Sequence, residues 1–347
     1  MSLLRWLGLA IGVAVLLHAF ARFRGARSGR MDFAMASLVG LSLAVVAAFP
    51  ASVNLLRDML MLEREQFSRL IAVLIASNVL LWLVVIAARS RATHSAEQFD
   101  QLIRALGVSE FRRLYPKQEA LAPIVVVLPA FDEGPNVGAV VRAIPKACAE
   151  RAVTALVIDD GSSDDTSDEA RQAGALVVRT PVRRGGGAAL RLGFDIALEH
   201  GAEIVVTMDA DGQHRPEEIA GLVAPIAADE ADFVIGSRIL GSHERDSQVR
   251  WLGIHVFSAL IRLLSNARVT DCSNGFRALR ARDLPRLLLR QDQFHTAELI
   301  IDATKKGIRI GEAPVTGKRR TSGESKKGRD WTYGLSFART VLRTWWR

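Results

Sequence analysis

Along the first 90 residues apolar positions run almost without interruption, whereas from about residue 121 short apolar runs alternate with turns rich in Gly, Asp and Pro. The change predicts two units, a transmembrane module over 1–90 and a globular part behind it. Three stretches approach the roughly 20 apolar residues needed to cross a hydrocarbon core: Leu3–Ala21, Phe33–Phe49 with an uncharged extension to Leu56, and Leu70–Ala88. No small-residue cleavage site follows Phe20, so the first reads as a retained span rather than a secretory signal. From Ser95 to Leu114, Phe99, Leu102, Ile103, Leu106 and Phe111 recur at helical spacing. They predict an amphipathic linker helix within 91–121, lying either on the membrane surface or against the globular part.

In the globular part, strand-like runs at Ile124–Leu128, Thr154–Asp159, Ala175–Arg179, Ile204–Met208 and Phe233–Gly236 are separated by segments of helical period. This βαβ alternation predicts an α/β fold, a mostly parallel sheet with helices on both faces. Ligands on such sheets bind beyond the carboxyl ends of the strands. Acidic turns fall there: Pro129-Ala130-Phe131-Asp132-Glu133, Asp159-Asp160-Gly161-Ser162-Ser163-Asp164-Asp165-Thr166 and Asp209-Ala210-Asp211-Gly212-Gln213-His214. Turn formation and helix capping account for Ser162, Asp164 and Asp165. They account poorly for Asp209 and Asp211, two carboxylates one residue apart after an apolar strand, which suit a hard divalent cation that also holds a diphosphate.

Charge and cysteine content narrow the setting. Four arginines against a single acid, Asp32, lie between the first two stretches, while the loop after the second carries Arg57 and Arg64 against Asp58, Glu63 and Glu65. The positive-inside rule then puts the N-terminus outside and, after three crossings, the globular part in the cytoplasm. Cys148 and Cys272 are the only cysteines, too few for a disulfide framework, which agrees with a reducing compartment. The net charge is +8, and residues 316–347 hold nine Lys or Arg against Glu324 and Asp330. Trp331, Tyr333, Phe337, Trp345 and Trp346 are interleaved with those charges, so the tail, 331–347, is assigned to an anionic membrane surface and not to nucleic acid. The apolar stretches contain no Asp, Glu or Lys, and His18 and Asn78 mark no transport pathway.

Read together, Leu-Pro-Ala-Phe-Asp-Glu (128–133), Ile-Asp-Asp-Gly-Ser-Ser-Asp-Asp-Thr (158–166), Arg-Gly-Gly-Gly-Ala-Ala (184–189) and Met-Asp-Ala-Asp-Gly-Gln-His (208–214) resemble the inverting GT-A glycosyltransferases of family 2. Gly236-Ser237-Arg238, the run 271–277, Glu312-Ala313-Pro314-Val315 and the run 320–326 are similar to the dolichol-phosphate mannose synthase branch and its bacterial polyprenyl-phosphate relatives. The likeness spans about 122–330, the expected catalytic domain.

The resemblance implies a sugar bound to UDP or GDP as donor and a polyprenyl phosphate as acceptor, at the inner or plasma membrane of a prokaryote. It implies that Pro129, Ala130, Glu133, Asp160, Arg184, Gly185 and Gly187 hold the nucleotide, with Asp209 and Asp211. Mg²⁺ or Mn²⁺ would sit on Asp209, Asp211 and Gln213. Asp209, Asp211, Arg238 and Arg320 are the expected catalytic set, and Arg238, Arg250, Arg320 and Ser325 the acceptor-phosphate set. Arginine suits that task because its planar fork binds phosphate oxygens in pairs.

Ile254 stands where the branch usually has Ser, and Trp251–Ile261 fits either a membrane-interface helix or a buried one. Gln248-Val249-Arg250-Trp251 is one residue short of the Gln-x-x-Arg-Trp motif of processive polysaccharide synthases and precedes Asp271, which argues against that class. A hydroxyl acceptor would need a general base, for which Asp271 is the candidate by sequence order. A non-catalytic membrane scaffold that only binds nucleotide is the alternative from another class, and a homo-oligomer is left open.

Overall fold

The computed structural model describes residues 3–24, 30–60, 68–117, 120–243, 248–265, 267–318 and 330–346. The chain forms two compact units, residues 1–98 and 99–347. The first contains α1 (Leu3–Arg24), α2 (Arg30–Ala48), α3 (Ser52–Met59) and the beginning of α4 (Ser68–Leu114). The third apolar stretch and the expected linker therefore lie on one helix of 47 residues.

Among the described residues, Val73–Leu114 holds a stretch long and apolar enough to cross a membrane; Phe33–Ala48 and Ser52–Met59 qualify only together as a bent pair. Arg5–Ala21 is apolar but shorter. α1 and α2 pack through small residues. A Cβ on Gly12 would lie 2.8 Å from both Ala44 N and Gly40 O, and one on Gly40 would lie 2.8 Å from Leu16 Cγ. Close backbone approach of this kind is how helices associate where lipid removes the hydrophobic driving force. The large side chains Trp6, Leu7, Ile11, Leu38 and Leu41 are exposed. Arg5, the charge that interrupts the first stretch, donates from Nε to Ala47 O (3.0 Å) and from Nη2 to Ala48 O (2.7 Å). It satisfies carbonyls that the end of α2 leaves open.

The second unit comprises the rest of α4, then β1 (Ile124–Ala130), α5 (Gly134–Ala143), β2 (Ala147–Cys148), β3 (Arg151–Asp159), α6 (Thr166–Gln172), β4 (Leu176–Arg179), α7 (Gly186–Glu199) and β5 (Ile204–Thr207). It continues with α8 (Ile219–Ala227), β6 (Phe233–His243), α9 (Gln248–Ser265), β7 (Arg277–Arg280), α10 (His295–Lys305), β8 (Ile310–Gly317) and α11 (Asp330–Trp346). β4, β3, β1 and β5 are parallel neighbours; β7 follows antiparallel to both β5 and β6, and β8 closes the far edge parallel to β6. Pro314 sits on that edge strand, where a missing N–H costs no ladder bond.

β1 shows why the sheet is covered on both sides. Val125 and Val127 join one core with Leu192, Phe194 and Ile300, while Ile124, Val126 and Leu128 join the other with Val137, Val140 and Leu222. Alternating side chains are all apolar because each face carries a helical layer. The expected linker contributes to the first core: Phe111 is fully buried against Tyr115 and His200, and Gly107 leaves no room for a Cβ beside Leu192 Cδ2 (2.5 Å). Leu102 and Leu106 remain exposed on the other side of that helix.

The aromatic tail is also a packed helix. On α11, Phe337 and Val341 are buried, and Lys305 caps its last carbonyls at Thr344 and Trp345. Leu342, Trp345 and Trp346 are left exposed, as are Leu252, Val256 and Leu263 on α9, whose other face buries Ile254 and Ile261.

Candidate active site

The carboxyl ends of β1, β3 and β5 meet at one edge of the sheet, Ala130 pairing with Asp159 across the first two. A cavity of about 230 Å³ opens there. Of the expected nucleotide residues, Pro129, Ala130, Glu133, Asp160, Gly185, Asp209 and Asp211 line it. The turn after β1 is held in an unusual shape: Asp132 has φ +47°, its N–H donates to Ser162 Oγ (2.9 Å), and its Oδ1 accepts from Ser163 N (2.8 Å). A non-glycine residue in the left-handed region persists only where the surroundings fix it. Asp164 bridges Thr166 N (3.1 Å) and Gly134 N (3.0 Å), whereas Asp165, at the N-cap of α6, makes no side-chain cap hydrogen bond.

Asp160 organises the glycine loop, accepting from Arg184 N (2.9 Å) and Gly185 N (2.5 Å). Burial raises its pKa, and those two N–H bonds only partly oppose the rise. Gly185 adopts φ +106°, and Gly187 donates to Asp292 O at 2.7 Å. A Cβ on Gly187 would lie 2.0 Å from Gln291 O, so glycine is required by contact there.

The Arg184 side chain is engaged beside the cavity rather than lining it. Its Nη2 lies 3.5 Å from Asp100 Oδ1 and 3.9 Å from Asp292 Oδ2, and its guanidinium sits 5.2 Å from the Phe99 ring centre. The cavity is lined instead by Arg183, whose guanidinium lies 3.9 Å from the Phe131 ring centre, and by His295. Motif matching passed over both. Arg183 was visible only as a neighbour in the loop, and His295 lies in no acidic turn.

Beyond β5, Asp209 is about half exposed with its Oδ2 3.6 Å from Nε2 of the buried His214, and Asp211 Oδ1 accepts from Gln213 N (3.1 Å). Gln213 is tied to Lys318 through Lys318 N to Gln213 O (2.9 Å) and Gln213 Nε2 to Lys318 O (3.3 Å). Among the described residues no three of His, Cys, Asp or Glu converge on one point. The donor set is therefore oxygen-rich and open: two carboxylates on one cavity wall with an amide beside them. That composition fits a hard cation that completes its shell with substrate oxygens.

The loop 271–276 packs against this motif, with Thr207 Oγ1 donating to Gly275 O (2.6 Å) and Gly275 so close that a Cβ would lie 3.1 Å from Asp209 Oδ1. Arg277, fully buried, braces the loop by donating to Cys272 O, Asn274 O and Thr296 O. Burial pulls its pKa down to about 10.

Within the same loop Asp271 is fully buried and accepts from Arg238 Nε (2.7 Å) and Nη2 (3.0 Å). Burial alone would raise the Asp271 pKa; the bonds and charge of Arg238 outweigh it and hold the carboxyl below its ordinary range. Arg238 Nη2 also donates to Ser273 Oγ (2.8 Å). Arg250 lies on α9, its side chain outside the described residues, as are Arg320 and Ser325 entirely. Lys318, two positions before Arg320, is the last described residue of that segment.

The family profile described as "Glycosyl transferase family 2" matches residues 125–288. The chain is 34% identical over 214 residues to the polyprenol monophosphomannose synthase of Mycolicibacterium smegmatis, covering 58% of this chain and 80% of that one. It is 31% identical over 214 residues to the UDP-N-acetylglucosamine--dolichyl-phosphate N-acetylglucosaminyltransferase of Methanococcus voltae, covering 55% and 84%. Among solved structures, glucosyl-3-phosphoglycerate synthase from Mycobacterium tuberculosis, in complex with Mn²⁺, UDP-glucose and phosphoglyceric acid, superposes with a TM-score of 0.52 at 23% identity, covering 69% and 83%. That likeness supports the GT-A type of fold. The chain is a glycosyltransferase of family 2 and belongs to its branch of polyprenyl- and dolichyl-phosphate sugar transferases.

Proposed function

We propose that the protein moves a sugar from a UDP- or GDP-sugar to a polyprenyl phosphate at the cytoplasmic face of a membrane, with inversion and with Mg²⁺ or Mn²⁺ bound at Asp209, Asp211 and Gln213. The observation that carries the phosphate acceptor is the state of Asp271. A hydroxyl acceptor requires a base, and this carboxylate is buried, doubly bonded to Arg238 and held below its ordinary pKa. It is a poor proton acceptor. A lipid monophosphate, with a second pKa near 6, is already largely dianionic at neutral pH and attacks without losing a proton.

The chain's own residues supply the rest. Asp160 fixes the amides that begin the glycine loop, and the N-terminus of α7 reaches the cavity through Gly186, a placement that favours a diphosphate. Bound with the donor, the cation would neutralise the departing nucleoside diphosphate. Arg238, with Arg250 and Arg320, is assigned to the acceptor phosphate; Asp271 and Ser273 preset the Arg238 fork. The exposed apolar positions of α9 and α11 are assigned to the membrane interface and the prenyl chain. Three crossings with the N-terminus outside remain the reading of the first unit, supported by the charge of its loops.

The test is to incubate the purified full-length chain with Mg²⁺ or Mn²⁺, polyprenyl phosphate and a panel of UDP- and GDP-sugars. A glycosyl phosphoprenol should form, and Asp211→Ala should abolish it while membrane insertion persists. Product formed only on hydroxyl-bearing lipids, or transfer undiminished in Asp211→Ala, would overturn the assignment.

A further inference from the structure

Asp100 lies on α4, outside every motif of the catalytic domain. Its Oδ1 accepts from Arg191 Nη2 at 2.6 Å and lies 3.5 Å from Arg184 Nη2, while its Oδ2 accepts from Arg191 Nε at 3.2 Å. Arg191 Nη2 also donates to Asp292 Oδ1 at 2.6 Å, and Arg184 Nη2 lies 3.9 Å from Asp292 Oδ2. Two acids and two arginines thus close a ring of alternating charge. The Arg191, Asp100 and Arg184 side chains are only 8, 16 and 17% exposed, so water screens them weakly, while Asp292 is 39% exposed. Arg104 Nη1 lies 3.8 Å from Asp100 Oδ2, outside the ring.

The ring holds two neighbouring segments that line the nucleotide cavity. Arg184 immediately precedes Gly185 and Gly186, which line it, and Asp292 stands three residues before His295, which lines it beside Gly186. Between the two segments there is no slack: Gly187 N donates to Asp292 O, and no Cβ fits between Gly187 and Gln291 O. Where Asp292 moves, the glycine loop follows. Without the Asp100 charge, two largely buried guanidinium groups share the single carboxylate of Asp292, and their repulsion falls on these two segments.

We propose that Asp100 is a positioning residue for the nucleotide-sugar site: through Arg184 and Arg191 it sets the spacing between the Gly185–Gly187 loop and the Asp292–His295 segment. This rests on reading the cavity as a nucleoside diphosphate site. The same helix provides a control, because Arg112 Nε donates to Glu199 Oε1 on α7 at 2.6 Å, away from Asp100 and the two segments.

The experiment uses the full-length chain in detergent and measures binding of UDP and of GDP, each with Mn²⁺, by calorimetry beside thermal unfolding. For the nucleotide that the wild type binds, Asp100→Asn should weaken affinity about tenfold, and in turnover it should raise KM for the donor sugar more than it lowers kcat. Glu199→Gln, which breaks the Arg112 pair, should leave nucleotide affinity unchanged. Should Asp100→Asn unfold, Asp100→Asn/Arg191→Gln, which removes one charge of each sign, should fold and still bind weakly. Wild-type affinity in either Asp100 variant, or equal weakening in Glu199→Gln, overturns the proposal. A wild type that binds neither nucleotide overturns the reading of the cavity itself, and the role of Asp100 with it.

Discussion

Replacing Arg238 with Met would strand the carboxylate of Asp271 in a fully buried position. Its remaining donors are Arg238 N (3.3 Å), Ser273 N (3.2 Å) and Ser273 Oγ (3.3 Å), all longer than the two guanidinium bonds lost. Removing one member of a buried ion pair costs about 3–5 kcal/mol, because the uncompensated charge stays out of water. At roughly 2–4 °C per kcal/mol for a unit of this size, the unfolding temperature should fall by about 10 °C. The double variant Arg238→Met/Asp271→Asn removes the stranded charge while keeping an acceptor for Ser273 N, and should recover most of that loss. Sugar transfer should stay low in both, since the fork assigned to the acceptor phosphate is gone in both. The sign of the pH dependence follows from the depressed Asp271 pKa. Stability from the pair is complete above the unfolded carboxyl pKa of about 4 and is lost as pH falls through the folded value. Thermal unfolding from pH 7 down to 3, with transfer assayed at pH 7, measures all of this. An Arg238→Met protein that melts within about 2 °C of the wild type, or a double variant as unstable as the two single losses combined, would refute the buried-pair reasoning.

Gly187→Ala should displace the segment around Gln291, since its Cβ would lie 2.0 Å from a backbone oxygen. Overpacking of this kind costs about 1–3 kcal/mol, and nucleotide affinity should drop with it; wild-type calorimetry would show that the segment yields freely. Phe111→Ala should cost about 3–5 kcal/mol by opening a void beside Tyr115 and His200. An unchanged melting temperature would mean that this end of α4 is not part of the folded unit.

Much of the parallel half of the sheet was legible because its strands are short, wholly apolar runs bounded by Gly and Asp. β7 escaped because Arg277-Ala278-Leu279-Arg280 has only two apolar residues, set between two arginines, and β8 because Gly311, Glu312 and Pro314 dilute it. The acidic turns lie at the cavity because strand ends must present whatever follows them. The contacts of Arg184 were illegible for a different reason: the ring that holds it joins α4 to α7, with Asp100 and Arg191 91 residues apart. No local spacing encodes that contact. The continuity of α4 was hidden by the step from Leu-rich to charged composition near Arg89, although no Gly or Pro breaks the helix there.

The two units are built inside out with respect to each other. In the second, large apolar side chains fill the middle and polar ones face outward; between α1 and α2, Gly12, Gly40 and Ala44 meet in the middle while Trp6, Ile11 and Leu41 point away. Agents that loosen one principle leave the other standing. Urea solvates apolar groups and peptide and so erodes the catalytic core, whereas the small-residue contact yields to molecules that compete for close van der Waals approach, as detergents do. Unfolding of this chain should therefore come in two steps whose order is chosen by the solvent.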